Sequence, residues 1–335
     1  MTARPGAPYG LILAPNWLGD AIMSLPALRA LRAADPERRW TVAARAAVAP
    51  VYALARLDLG VVALPAVGAP RIVPRPEMAV LFPNSFHAAL LALRSGAPRR
   101  IGYAGQWRGP LLRPAVARAA PGALPGHESY QYLELLRRAG LIAALPPEPE
   151  LYTPLHPDPA AVARWRERFA GARVVALHAG ATFGGAKRWL PERFAALAAA
   201  LAAQGAMVAM IGGPSERALA ERLAEAADAP GRVLNLAGET TLAELAALLA
   251  AAHCLVANDS GPMHLAAAVG TPVVALFGSS NERETYPLAL PHRLRLLKAP
   301  GVACSPCKLR ECPIDHRCMT RIEVAEVLRA VAEVA

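Results

Sequence analysis

The sequence predicts an α/β protein of two Rossmann-like domains, whose parallel sheets face a central cleft. Three observations carry that expectation. The chain has 335 residues, more than one hydrophobic core usually serves. Short apolar runs alternate with amphipathic or alanine-rich runs through both halves. Between the halves lies "ALPPEPELYTPLHPDP" (144–159), where six prolines rule out regular structure and mark a linker.

In the first half, "GLILAP" (10–15), "RWTVAA" (39–44), "GVVALP" (60–65), "MAVLFP" (78–83) and "RRIGYA" (99–104) read as strands. "AIMSLPALRALRAADP" (21–36) reads as one helix, and "SFHAALLALRSG" (85–96) as another that ends at Gly96. "HESYQYLELLRRAGL" (127–141) is amphipathic, with its charges on one face. The second half restarts the alternation with "RVVALHAG" (173–180), "AMVAMIGG" (206–213), "RVLNLAG" (232–238), "HCLVAND" (253–259) and "TPVVALFG" (271–278). Its helices begin after Pro191, after Pro214-Ser215, and at the capping-box pair Thr241 and Glu244. Continuous apolar strands separated by helices imply parallel sheets covered on both faces. The expected domains are 1–155 and 160–320. A final helix over 321–335 is free to pack on either domain, including back on the first.

Composition narrows the function classes. Hydrophobic residues make up 54%, which supports a large core and argues against disorder. Two long uncharged stretches, Phe194 to Ser215 and Ser260 to Asn281, are broken at Gln204-Gly205 and at Gly270-Thr271-Pro272. A spanning helix needs about 20 continuous apolar residues, so neither predicts a membrane span. The polar residues come too early in "YGLILAPNWLGD" for a signal peptide, and a cytoplasmic protein is expected. The net charge of +10 permits nucleic acid, an anionic membrane surface or a phosphorylated substrate. Aromatics at 5% argue against base-stacking platforms.

Four strand-end loops carry polar residues out of keeping with their neighbours, at the place where doubly wound sheets bind ligands. The first is "APNWLGDAIMS" (14–24), where Asp20 is either a helix N-cap or a general base kept ionised by a helix N-terminus. Trp17 beside it suits a pocket wall. The second is "HAGATFGGAKRWLPERF" (178–194). Gly180 and Gly185 have the spacing of a phosphate loop. Ala186 then precedes Lys187, and Arg188 stands where a hydroxyl would hold Mg²⁺. A P-loop NTPase is not expected, yet exposed amides, two cations and a following helix suit a diphosphate. The third is "IGGPSER" (211–217), without a dinucleotide fingerprint, where Glu216 either accepts from a ribose or is simply solvated. The fourth is "NDSGPMH" (258–264): Gly261 lets a ligand approach the backbone, Ser260 offers a hydroxyl and an amide, and His264 fits the core best.

Five cysteines are present, and Cys254 sits alone in an apolar strand. The other four, Cys304, Cys307, Cys312 and Cys318, have the spacing C-x2-C-x4-C-x5-C with His316 among them. A structural zinc site, free thiols and disulfides all fit that spacing.

"PNWLGDAIMS", "LFPNSFHAAL", "GATFGGAKRW" and "NDSGPMHLAAA" together resemble the ordered signature blocks of glycosyltransferase family 9, the ADP-heptose:lipopolysaccharide heptosyltransferases, nearest its heptosyltransferase II branch. The resemblance implies a GT-B fold, with acceptor binding in the N-terminal domain and nucleotide-sugar binding in the C-terminal one. It implies an inverting enzyme without a cofactor or an active-site metal. By motif, Asp20 matches the catalytic base and Lys187 the lysine on the donor diphosphate. Asp259 matches the aspartate on the sugar hydroxyls, with Ser260 and Gly261 at the phosphates. Thr182 and Glu216 fall on the donor side; Asn16, Trp17, Asn84 and Ser85 fall on the acceptor side. Thr182 stands where the branch often has Glu, and Gly185 and Leu190 where it often has Pro. The implied donor is ADP-heptose and the implied acceptor a lipid A-core at the cytosolic face of the inner membrane, with no nucleic acid partner. Another family 9 enzyme, or a basic nucleotide-binding protein without transfer activity, are the competing expectations.

Overall fold

The computed structural model describes residues 8–65, 75–120 and 122–334. The chain divides into two compact units between Leu155 and His156. In the first unit the strands are β1 (Tyr9–Leu13), β2 (Arg39–Arg45), β3 (Gly60–Leu64), β4 (Met78–Leu81), β5 (Arg99–Tyr103) and β6 (Ala115–Val116). They form one sheet in the order β3-β2-β1-β4-β5-β6. The second unit contributes β7 (Val174–His178), β8 (Met207–Met210), β9 (Val233–Asn235), β10 (Cys254–Asn258), β11 (Val273–Phe277) and β12 (Leu294–Lys298). Their order is β9-β8-β7-β10-β11-β12. All strand pairings in both sheets are parallel among the described residues.

The two sheets share one topology. Each starts in the middle, runs out to one edge, returns, and fills the other side. The order reverses between β1 and β4 in the first sheet and between β7 and β10 in the second. Helices leaving two neighbouring strands on opposite faces open a crevice at such a point.

Burial follows the sequence pattern. β1, β4, β7, β10 and β11 are buried along their whole length. Phe194, Leu197, Ala198 and Leu201 make the i, i+3, i+4, i+7 face by which the helix Pro191–Ala203 packs into the core. Fully burying a residue such as Phe194 stabilises the fold by roughly 1.5–3 kcal/mol. The helix Leu242–Ala251 starts at the expected capping box: Glu244 N donates to Thr241 Oγ1 at 3.2 Å, and Thr241 N donates to Glu244 Oε2 at 3.0 Å.

Three expectations need correction. The single helix over 21–36 is two helices, Leu18–Met23 and Leu25–Ala34. Pro26 has no amide to donate to the turn before it, so the chain restarts a helix at Leu25, and Ser24 Oγ donates back to Ala21 O at 2.7 Å. The proline run contains one 3-10 turn, Glu148–Leu151, and its last proline opens a helix, Pro159–Arg168, capped by Asp158. Two strands escaped the sequence reading: β6 has only two residues, and β12 is a half-buried edge strand carrying Arg295 and Lys298. The last helix, Val324–Val334, packs on the helix Pro191–Ala203 and on β10, β11 and β12. Val327, Ala330, Val331 and Val334 bury its apolar face in the second unit's core, one of the two placements the sequence left open. Among the described residues no helix is long and apolar enough to cross a membrane.

Candidate functional site

The site residues gather at the two switch points. In the second sheet, the loop after β10 holds the loop after β7. Asn258, fully buried, accepts from Trp189 N at 2.9 Å and donates to Ala179 O at 2.9 Å and Gly180 O at 3.3 Å. Trp189 is itself locked: its indole nitrogen donates to Ile322 O at 2.9 Å and its ring packs edge-on against Phe194. The segment between, which carries Thr182 and Lys187, is therefore braced at both ends. Thr182 lies exposed on it.

Lys187 Nζ donates to Asp259 Oδ2 at 2.5 Å, and the aspartate side chain is only 5% exposed. A carboxylate this buried is costly without a partner, and the lysine supplies one. Lys187 and Arg310 both lie against the Phe183 ring. Ser260 is the N-cap of the helix Gly261–Ala268, but its side chain does not cap. Its hydroxyl donates instead to Asn258 O at 3.0 Å and lies 3.0 Å from His178 Nδ1. Among the described residues no acceptor takes the amides of Ser260 or Gly261, and Pro262 has no amide. Two donors at a helix start are thus left for an anion. His264 is buried in the same helix, as the core reading expected.

Glu216 approaches from the loop after β8. Its Oε2 accepts from Gly213 N at 2.8 Å and lies 3.3 Å from His178 Nε2. Burial works against the charge, but His178, the Gly213 amide and Arg188 outweigh it and hold the carboxyl below its usual range. The side chain keeps a quarter of its surface exposed and also closes the capping box at Gly213.

The cysteine-rich loop buttresses this arrangement. Glu311 Oε1 accepts from Gly185 N at 2.9 Å, Arg310 O accepts from Ala186 N at 2.9 Å, and His316 Nε2 donates to Ala186 O at 3.0 Å. A Cβ on Gly184 would lie 2.2 Å from Arg310 O, so only glycine fits there. Cys304, Cys307, Cys312 and Cys318 are free thiols that line one cavity of about 70 Å³. Among the described residues no group of three or more His, Cys, Asp or Glu side chains converges on a metal position. The thiols run around the cavity wall from exposed Cys304 to buried Cys318, and no two of them are joined. Burial and the neighbouring thiols raise the Cys318 pKa. Cys254 is fully buried in β10, and that burial pushes its pKa up to about 12.

At the first sheet's switch point, Asn16 and Trp17 follow β1, and Trp17 is 63% exposed. Trp17 is the N-cap of the helix Leu18–Met23, and Asp20 lies in its first turn, so Asp20 is not the cap. Burial raises the pKa of Tyr52 and of Tyr132, and the Asp20 charge raises both further, against the Ser24 hydrogen bond in the case of Tyr52. After β4, Asn84 Oδ1 accepts from Arg108 Nη2 at 2.7 Å, and Ser85 Oγ caps the next helix by accepting from Ala88 N at 3.2 Å. Arg108 also donates to Tyr103 O at 2.7 Å and is 2% exposed, and burial lowers its pKa. A cavity of about 290 Å³ opens at these strand ends, with Asn16, Arg45, Ser85 and His87 among its polar walls. Sequence reasoning missed Asn258, Arg108 and His178. The only signal for them was a polar side chain at or just beyond a strand's carboxyl end.

Two parallel sheets of this order, each with its polar residues at the switch point, make up the GT-B glycosyltransferase architecture. The model for glycosyltransferase family 9 (heptosyltransferase) matches residues 75–317, and the chain belongs to that family. It is 31% identical over 312 residues to lipopolysaccharide heptosyltransferase 2 of Escherichia coli K12, covering 86% of this chain and 87% of that one. Lipooligosaccharide heptosyltransferase 2 of Haemophilus influenzae is 30% identical over 299 residues, covering 83% and 86%. The solved structure of E. coli ADP-heptose lipopolysaccharide heptosyltransferase II superimposes with a TM-score of 0.80 at 27% identity, covering 97% of this chain and 98% of that one.

Proposed function

We propose that the protein transfers heptose from ADP-L-glycero-D-manno-heptose to the lipopolysaccharide inner core, placing the second heptose on heptosyl-Kdo-lipid A. The observation that carries this reading is the Lys187–Asp259 pair beside the open Ser260 and Gly261 amides. Each group is matched to one part of a nucleotide sugar. The diphosphate takes Lys187 and the two amides. Asp259, released from the lysine, accepts hydrogen bonds from sugar hydroxyls. Glu216 accepts from the ribose, and Thr182 lies on the same donor loop. Asn16, Trp17, Asn84 and Ser85 serve the acceptor, with Arg108 holding Asn84 in place.

In the chemical step Asp20 takes the proton of an acceptor hydroxyl. The oxygen attacks the anomeric carbon from the face opposite the diphosphate, and the carbon–oxygen bond to ADP breaks with its electron pair leaving on ADP. Configuration inverts. Lys187 and the helix start meet the charge that develops on the leaving diphosphate, and no metal is required. A preorganised donor of this kind is worth ~3 kcal/mol in the transition state. The protein works at the cytosolic face of the inner membrane, held there by its basic charge; each cation near an anionic surface contributes about 1 kcal/mol.

The test is incubation of the protein with ADP-heptose and core acceptors of increasing length, read by mass. The expected product is the heptosyl-Kdo-lipid A acceptor plus one heptose. No mass gain on any heptose-ready acceptor refutes the assignment.

A further inference from the structure

β7 lies at the second sheet's switch point and ends in His178, which is 4% exposed and has no part in the chemistry described so far. β10 and β8 flank β7, and the imidazole reaches the loops of both. Nδ1 lies 3.0 Å from Ser260 Oγ, and Nε2 lies 3.3 Å from Glu216 Oε2. An ionised carboxylate can only accept, so Nε2–H donates to Glu216. On the other side of the ring Nδ1 bonds to Ser260 Oγ, which also lies 3.0 Å from Asn258 O. Gly180 completes the arrangement: a Cβ there would lie 1.5 Å from Glu216 Oε1, so the carboxylate occupies the space that glycine leaves.

We propose that His178 is a positioning residue that sets the spacing between the carboxylate reading the nucleoside and the turn reading the phosphates. One rigid ring, anchored on the central strand, gauges the length of a nucleoside diphosphate. This rests on the donor-site reading above. His178 touches no donor atom. It acts through Glu216 at one end and through Ser260 at the other, so its two tethers separate in kinetics.

The experiment uses the full chain with His178→Asn and His178→Gln. The asparagine amide reaches the Nδ1 position and keeps the Ser260 tether; the glutamine amide reaches the Nε2 position and keeps the Glu216 tether. ADP affinity is read by calorimetry, and turnover with ADP-heptose gives kcat and KM separately. His178→Asn is expected to raise the ADP Kd and donor KM about tenfold with kcat within about twofold, the scale of one charge-assisted hydrogen bond in ground-state binding. His178→Gln is expected to lower kcat about tenfold with a smaller change in KM, because the phosphate turn acts on the leaving group. Gly180→Ala keeps the His178 side chain but sets a Cβ 1.5 Å from Glu216 Oε1 and 3.1 Å from His178 Nε2, so it breaks the same tether and is expected to reproduce His178→Asn. Combining His178→Asn with Glu216→Ala adds no further loss of ADP affinity beyond the larger single effect. Equal losses in the same parameter for both His178 variants, additive effects in the double variant, or wild-type behaviour throughout overturn the role given to His178. Wild-type protein that binds no ADP overturns the donor-site reading itself.

Discussion

The two units repeat one sheet order and use it in opposite ways. At the β7/β10 switch point the polar side chains are buried and bonded to one another: Asn258, Asp259 and His178 are at most 6% exposed, and Lys187 is paired. At the β1/β4 switch point Asn16 and Trp17 are exposed and Asp20 is half-buried, and Asn16 borders a cavity together with Arg45 and His87. On the proposed reading, the same topology yields a site assembled before its ligand arrives and a site left open to water. A nucleotide sugar is a small ligand of fixed shape, and rigid placement of its partners lowers the cost of binding it. A glycolipid acceptor is large and enters from a surface, so an open rim suits it.

Variants in the two units therefore fail differently. The largest effect on turnover is expected for Asp20→Asn, with kcat down about a thousandfold, the scale of a lost general base. Its stability in urea stays near wild type. Lys187→Met loses on both counts. Turnover falls about a hundredfold, and unfolding in urea shows a loss on the order of 3 kcal/mol because Asp259 is left buried without its cation. Asn258→Ala removes three hydrogen bonds that brace the donor loop. It is expected to cost about 2–4 kcal/mol by urea unfolding and to weaken ADP binding although Asn258 meets no ligand.

Glu216 gives a pH signature confined to the second unit. Its folded carboxyl lies below the usual range, so its contribution is complete above the unfolded glutamate pKa, about 4.3, and is lost as pH falls through the folded value. Urea midpoints of wild type and Glu216→Gln should separate above about pH 5 and converge in stronger acid. A constant gap at all pH values contradicts the ionised assignment. The smallest stability effect belongs to Trp17→Ala, within about 0.5 kcal/mol of wild type, since its ring is largely in water. Its acceptor KM rises while its donor KM does not, and the reverse split would remove Trp17 from the acceptor side.

Much of this was legible in the sequence because it is local. The Thr241–Glu244 capping box, the buried apolar strands and the Asp-Ser-Gly-Pro helix start lie within a few residues of the features they define. The exact length of the first helix was read wrongly although Pro26 was in plain view, because the apolar period continues across it. What stayed hidden is cooperation at long range. Asn258 meets Ala179, Gly180 and Trp189 some 69 to 79 residues away, and Ser260 leaves its capping role for His178 at a separation of 82. No periodicity encodes such a choice of partner.

The central claim is a division of labour, with the second unit holding the nucleotide and the first supplying the base. Titration of ADP into Asp20→Ala by calorimetry, with heptosyl transfer measured on the same sample, tests it most directly. The account predicts wild-type ADP affinity together with abolished transfer. Loss of ADP binding in this variant, or transfer at the wild-type rate, would contradict it.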